Sequence, residues 1–136
     1  GGFALAAARA GFPRVTGVEV SSGAISSAIS AARHAGLPRS AASFIADDAT
    51  SWARSQAPED VPDVIVVNPP RRGIGADLAA YLNECGAPRV IYSSCNPTSL
   101  ATDLAAMPTL RPIEGRLFDM FPHTTHAEVA LLLERA

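Results

Sequence analysis

The sequence predicts an α/β fold on a mostly parallel sheet, and three observations carry that prediction. Apolar, β-branched segments alternate with stretches of helical character through the first hundred residues. After residue 107 the pattern changes to two β-rich segments with no helix between them. The 136 residues, 48% of them hydrophobic, are enough for one core of ordinary size, so a single domain over residues 1–136 is expected. Strands separated by helices require crossover connections, which make neighbouring strands parallel.

The strands are expected at VTGVEV (15–20), SFIA (43–46), DVIVVN (63–68) and RVIYSS (89–94), with helices near 22–35, 49–56, 76–86 and 97–105. Ser21 or Ser22 can cap the first of these helices, and Gly36 followed by Pro38 stops it. Asn96 ahead of Pro97 puts a capping side chain before a proline at the first helical position, which specifies the start of the last helix closely. LRPIEGRLF (110–118) and AEVALLLER (127–135) should then pair antiparallel at one side of the sheet. At the other end, GGFALAAARAG reads as the close of a glycine-rich turn running into a helix with no strand in front of it. A nucleotide-binding turn follows a strand, so the first strand of the fold is expected to be missing from this sequence. A tag remnant at Gly1-Gly2 is the plain alternative.

Composition narrows the function classes. No run approaches the roughly 18 apolar residues of a membrane span, and the start lacks the features of a signal peptide, so a soluble, cytoplasmic protein is expected. A net charge of −2 and a pI near 5.9 exclude bulk electrostatic binding of nucleic acid, leaving only a local basic patch for RNA. All eleven basic residues are arginine, with Arg71-Arg72 the clearest cluster. Two cysteines, Cys85 and Cys95, are expected to stay reduced, and nothing in their spacing suggests a metal site.

Candidate functional residues collect at strand ends. Glu19 closes an apolar strand seventeen positions after Gly2, where nucleotide-binding α/β domains place a carboxylate that accepts hydrogen bonds from both ribose hydroxyls. A solvated strand-end residue is the alternative. Asp48, at the end of the next strand, is the matching candidate for an adenine amino group, with Asp47 adjoining it. Asn68-Pro69-Pro70 ends the third strand and is similar to the NPPY motif of amino-methyltransferases, but Arg71 stands where that motif has a stacking aromatic. Two prolines, two arginines and two glycines among residues 68–75 give a rigid turn with two guanidinium groups, richer than a strand-to-helix connection requires.

Cys95, in Ser93-Ser94-Cys95-Asn96-Pro97, sits at the carboxyl end of the fourth strand, where open α/β sheets hold ligands. The amino end of the following helix favours negative charge on its sulfur. Cys85, in the apolar pattern of the preceding helix, reads as packing. The run FDMFPHTTHAE (118–128) is too polar for a plain turn; Glu128 could act as a base, and His123 or His126 could orient substrate or hold phosphate.

Taken together, NPPRRGIG (68–75), SSCNP (93–97) and FDMFPHTTHAE (118–128) resemble the uracil-C5 RNA methyltransferase family, in the branch that makes 5-methyluridine in large-subunit (23S) ribosomal RNA. The resemblance spans nearly all of the chain. It implies a class I S-adenosylmethionine-dependent methyltransferase fold, Rossmann-like, with S-adenosylmethionine as cofactor and RNA as partner. Cys95 corresponds to the family's nucleophile and Glu128 to its base. Glu19 and Asn68 correspond to residues that contact the cofactor, and Asn68, where many relatives have Asp, favours the ribosomal-RNA branch over the transfer-RNA branch. Arg71 and Arg72 are candidates for holding phosphate or developing enolate charge.

The family's cofactor motif begins upstream of Gly1-Gly2-Phe3. Relatives also carry an upstream domain and, in this branch, a cysteine cluster for a [4Fe-4S] centre, which would lie outside this sequence. The chain alone is therefore expected to bind S-adenosylmethionine weakly or not at all. Two other readings stand beside this one. An amino-methyltransferase working through Asn68-Pro69-Pro70 would not need Cys95, and a non-catalytic RNA-binding remnant would need neither Cys95 nor Glu128.

Overall fold

The computed structural model describes residues 1–120 and 122–136, so Phe121 of the FDMFPHTTHAE run lies outside the described residues. The chain divides into two compact units, residues 1–55 and 56–136.

In the first unit, helix α1 (Gly2–Arg9) leads to β1 (Val15–Glu19), α2 (Ser22–His34), β2 (Ala42–Ala46) and α3 (Ala49–Ser55). β1 and β2 run parallel from Val15 opposite Ala42 to Glu19 opposite Ala46. α2 starts where its cap dictates: Ser21 is extended, and its hydroxyl accepts from the Ala24 N–H. It ends at Gly36, whose φ of 70° is cheap only for glycine, while the Leu37 N–H reaches back to the Ala32 carbonyl.

In the second unit, β3 (Val64–Val67), α4 (Gly75–Glu84), β4 (Arg89–Ser94), α5 (Pro97–Ala105), β5 (Leu110–Phe118) and β6 (Glu128–Arg135) form a four-stranded sheet of order β3-β4-β6-β5. β3 and β4 are parallel, and β6 lies antiparallel to both β4 and β5. The parallel strands fall into two ladders, β1-β2 and β3-β4, and among the described residues no strand pairs with both β1 and β3. The helices and the antiparallel pair lie within two residues of the expected limits.

The core of this unit follows from two periodicities. Val90 and Tyr92 alternate on β4 and turn one face inward, where Ala79 and Leu82, three apart on α4, meet them with Leu100, Met107, Leu110 and Leu133. Tyr92, Leu82, Met107, Leu133 and Val90 are fully buried. Alternation sends Ser93 to the opposite face of β4, and that face carries the chemistry.

Candidate active site

At the carboxyl end of β4 the strand stops because Asn96 begins a helix. Asn96 is extended, its Oδ1 accepts from the Thr98 N–H at 3.1 Å, and Pro97 takes the first helical position. Ser94 Oγ closes the corner, donating to the Asn96 carbonyl and accepting its N–H, both at 3.0 Å. Cys95 is thereby fixed between the strand end and the amino end of α5, partly exposed and with a free thiol.

Glu128 reaches this place from the other side. The antiparallel register of β4 and β6 ends with Ser94 opposite Val129, so Cys95 and Glu128 each adjoin that last pair in sequence. The Glu128 carboxylate is half-buried and accepts from Ser93 Oγ at 2.7 Å. Ser93 is buried, so this hydroxyl holds the carboxylate in one place on the face that Cys95 continues.

The arginines come next. Pro70 to Gly73 form a turn, closed by the Gly73 N–H on the Pro70 carbonyl at 2.9 Å, that puts Arg71 and Arg72 at its two central positions, both exposed. Asn96 Nδ2 donates to the Arg71 carbonyl at 2.9 Å, tying the turn to the Cys95 corner. The Arg71 guanidinium lies 3.2 Å from His126 Nδ1. A guanidinium only donates, so Nδ1 accepts and the ring proton belongs on Nε2. His126 and His123 are exposed in the connection between β5 and β6, and His123 has a left-handed backbone with φ of 69°. Asn68 is exposed just beyond β3.

In the first unit, Glu19 and Asp48 come together at the carboxyl ends of β1 and β2, where the Asp47 N–H donates to the Glu19 carbonyl at 3.1 Å. The exposed Glu19 carboxylate accepts from the Ser21 N–H at 3.0 Å. Asp48 Oδ1 accepts from the Ser51 N–H at 2.8 Å and caps α3. That backbone bond, followed by one from the Ser51 hydroxyl, holds its carboxyl below the usual carboxylate range. A Cβ added to Gly2 would meet nothing within 4 Å, whereas one on Gly1 would come 2.5 Å from Ala28 Cβ; the close approach of backbone is at Gly1.

Two contributors lie outside the motifs, Tyr92 and Asp103, and Ser93 lies inside one without a role to be read from it. Asp103 had a signal, since Leu100, Asp103, Leu104 and Met107 make an apolar stripe with one carboxylate in it.

The α/β frame of parallel and antiparallel strands is that of the class I, Rossmann-like methyltransferases. A solved structure from Pyrococcus abyssi, a tRNA (uracil-54, C5)-methyltransferase in complex with S-adenosyl-L-homocysteine, is similar over 96% of this chain and 31% of its own, with a TM-score of 0.80 at 30% identity. Residues 60–136, more than half of the sequence, match the family described as tRNA (Uracil-5-)-methyltransferase, and the chain belongs to that family. It is 48% identical over 133 residues to a 23S rRNA (uracil(747)-C(5))-methyltransferase of Shewanella amazonensis, covering 98% of this chain and 34% of the relative. A protein of the same description from Pectobacterium atrosepticum is 44% identical over 136 residues, covering all of this chain and 35% of the relative. The chain spans about a third of the length of the curated relatives it matches.

Proposed function

We propose that this chain is the catalytic part of an enzyme that methylates C5 of uracil in RNA, 23S ribosomal RNA in particular, through a covalent bond between Cys95 and C6 of the base. The observation that carries the proposal is that Cys95 and Glu128 both adjoin the last β4–β6 pair, Ser94 opposite Val129, with the Glu128 carboxylate held by Ser93. C5 of uracil is a weak nucleophile. Addition of the Cys95 thiolate to C6 makes the S–C6 bond and pushes the C5=C6 electron pair onto C5 and the neighbouring carbonyl, which makes C5 reactive.

S-adenosylmethionine supplies an electrophilic methyl group for C5. Glu128 then takes the remaining C5 proton, the C5=C6 bond re-forms, and the S–C6 bond breaks to release the thiolate. The Arg71-Arg72 turn can hold a phosphate or the developing enolate oxygen, with His126 steadying Arg71 and His123 beside it in the same exposed connection. The base must leave its stack to meet the thiolate.

The residues fit the cofactor. An exposed carboxylate at a strand's carboxyl end, held by the Ser21 N–H, is the acceptor that two ribose hydroxyls require. In the first unit, Glu19 would hold the ribose, Asp48 the adenine amino group and Gly2 another part of the molecule; Asn68, in the second, stays a candidate from its motif alone. Asp48 already caps α3 with one oxygen, so its part in binding falls to the other.

The ribosomal-RNA assignment rests on the similarity to the Shewanella and Pectobacterium proteins and on Asn68 at the head of NPPR. That substrate places the activity in the cytoplasm; among the described residues no helix is long and apolar enough to cross a membrane. To test the proposal, the full-length protein is incubated with cofactor and either unmodified 23S rRNA or tRNA, and the nucleosides are read by mass spectrometry. Methyl on uracil C5 of the ribosomal RNA is expected. Methyl on an exocyclic amino group would turn the assignment to Asn68-Pro69-Pro70, and no methylation would leave a non-catalytic module.

A further inference from the structure

Asp103 is a buried carboxylate that the reaction just described does not use. It lies on α5 seven residues after Asn96, so the two share one face of the helix, and both point their hydrogen bonds at the same short segment. Asn96 Nδ2 donates to the Arg71 carbonyl on one side of the arginine turn. On the other side, Asp103 Oδ2 accepts from the Ile74 N–H at 2.9 Å and from the hydroxyl of the fully buried Tyr92.

Between them Gly73 leaves room for this carboxylate: a Cβ there would come 2.4 Å from Asp103 Oδ2, and φ is 87°. A carboxylate in an apolar stripe is costly to bury unless its oxygens are used. Here Oδ2 takes both bonds, one from the turn and one from the core tyrosine that fixes the carboxylate's own position.

We propose that Asp103 is a positioning residue that, through Gly73 and Ile74, sets the Arg71-Arg72 turn at the height of Cys95 and so determines how RNA is gripped for attack. α5 then works as a jig. Its amino end places the nucleophile, Asn96 and Asp103 clamp the arginine turn from two sides, and the spacing between thiol and guanidinium is built into one helix. The inference rests on the reading of Cys95 and Arg71 as parts of an RNA-modifying site.

The test is a double-mutant cycle in the full-length protein. The rate of covalent complex formation with 5-fluorouridine-containing ribosomal RNA and S-adenosylmethionine is measured against RNA concentration. Asp103→Ala should raise the RNA concentration for half-maximal rate about tenfold, the scale of one charge-assisted hydrogen bond, and Arg71→Ala by a similar factor. The double variant should be no worse than Arg71→Ala alone, because Asp103 acts through the turn. Asp103→Asn, whose amide oxygen can accept from both Ile74 and Tyr92, should restore most of the loss.

Multiplying effects in the double variant would make Asp103 a structural residue only and overturn the inference, as would an Asp103→Ala protein that grips RNA normally. If Asp103→Ala does not fold, Tyr92→Phe removes one bond to the same carboxylate, and its smaller loss must likewise vanish in the Arg71→Ala background. A wild-type protein that forms no complex at all would overturn the activity reading and this inference with it, whereas multiplying effects would overturn the inference alone.

Discussion

Replacing Ser93 by alanine should slow the second half of the reaction and spare the first. The side chain donates to Glu128 Oε1 at 2.7 Å and is buried, while among the described residues no hydrogen bond joins its hydroxyl to Cys95. A hydrogen bond to a charged group contributes about 1.5–3 kcal/mol net. Glu128 is half-exposed, and water can replace part of the lost bond, so the low end applies. About 1.5 kcal/mol corresponds to roughly a tenfold slower proton removal from C5, since each 1.36 kcal/mol of barrier is tenfold in rate.

The assay has two arms. With 5-fluorouridine RNA the complex forms before any proton leaves C5, and Ser93→Ala should form it within about twofold of the wild-type rate if hydroxyl and thiol act independently. With natural RNA, release of methylated product should fall about tenfold and the covalent intermediate should accumulate, because the step Glu128 serves has become the slow one. Ser93→Thr, which keeps the hydroxyl, should recover most of the rate. Equal slowing of both arms, or no slowing of release, would refute the reasoning that Ser93 acts by holding the base.

Three further outcomes follow from other contacts. Arg135 donates to the carbonyls of Leu82, Asn83 and Ala87 and to Thr109 Oγ1, pinning the end of α4 to β6; Arg135→Met should cost about 2–3 kcal/mol in urea unfolding, and a loss below about 0.5 kcal/mol would contradict that role. Glu19→Ala should weaken S-adenosylhomocysteine binding to the full-length protein by about tenfold to a hundredfold in calorimetry while leaving RNA affinity unchanged; a loss of both would point to misfolding instead. Asp48 is held below the usual carboxylate range by Ser51, so its capping contribution is present above the unfolded value near pH 4 and is lost as pH falls through the lower folded value. Asp48→Ala should therefore destabilise at pH 7 and be indistinguishable from wild type at strongly acidic pH, and a pH-independent difference would contradict the capping role.

Much of this molecule is legible in its sequence, for physical reasons that differ by element. Helix α5 begins at Pro97 because Asn96 can cap and proline can start, and both signals are local. β3 and β4 read as strands because VIVV and VIY are short β-branched and aromatic runs with no polar gap of helical period. Cys95, Glu128, Arg71 and His126 could each be named from motifs, yet the sequence does not say that Arg71 meets His126 or that Glu128 meets Ser93. Those contacts join residues 55 and 35 positions apart; the β4–β6 register brings Ser93 to Glu128, and Arg71 reaches His126 only because β3 also pairs with β4. Asp103 was the hardest. The apolar stripe marks it as an unusual carboxylate but does not give its partners, and the space it occupies depends on Gly73, thirty residues earlier, having no side chain. Which strands pair was likewise not legible, because strand periodicity identifies strands but not their neighbours.

The central claim is that Cys95 forms the bond to uracil, and trapping that bond tests it most directly. Fluorine at C5 cannot leave as a proton, so full-length protein, S-adenosylmethionine and 5-fluorouridine-containing 23S rRNA should give a complex that survives denaturation. Digestion and mass spectrometry should find the nucleotide on the Cys95 sulfur, with none formed by Cys95→Ala and a normal amount formed by Glu128→Gln. A stable complex with Cys95→Ala, or attachment at Cys85, would contradict the account.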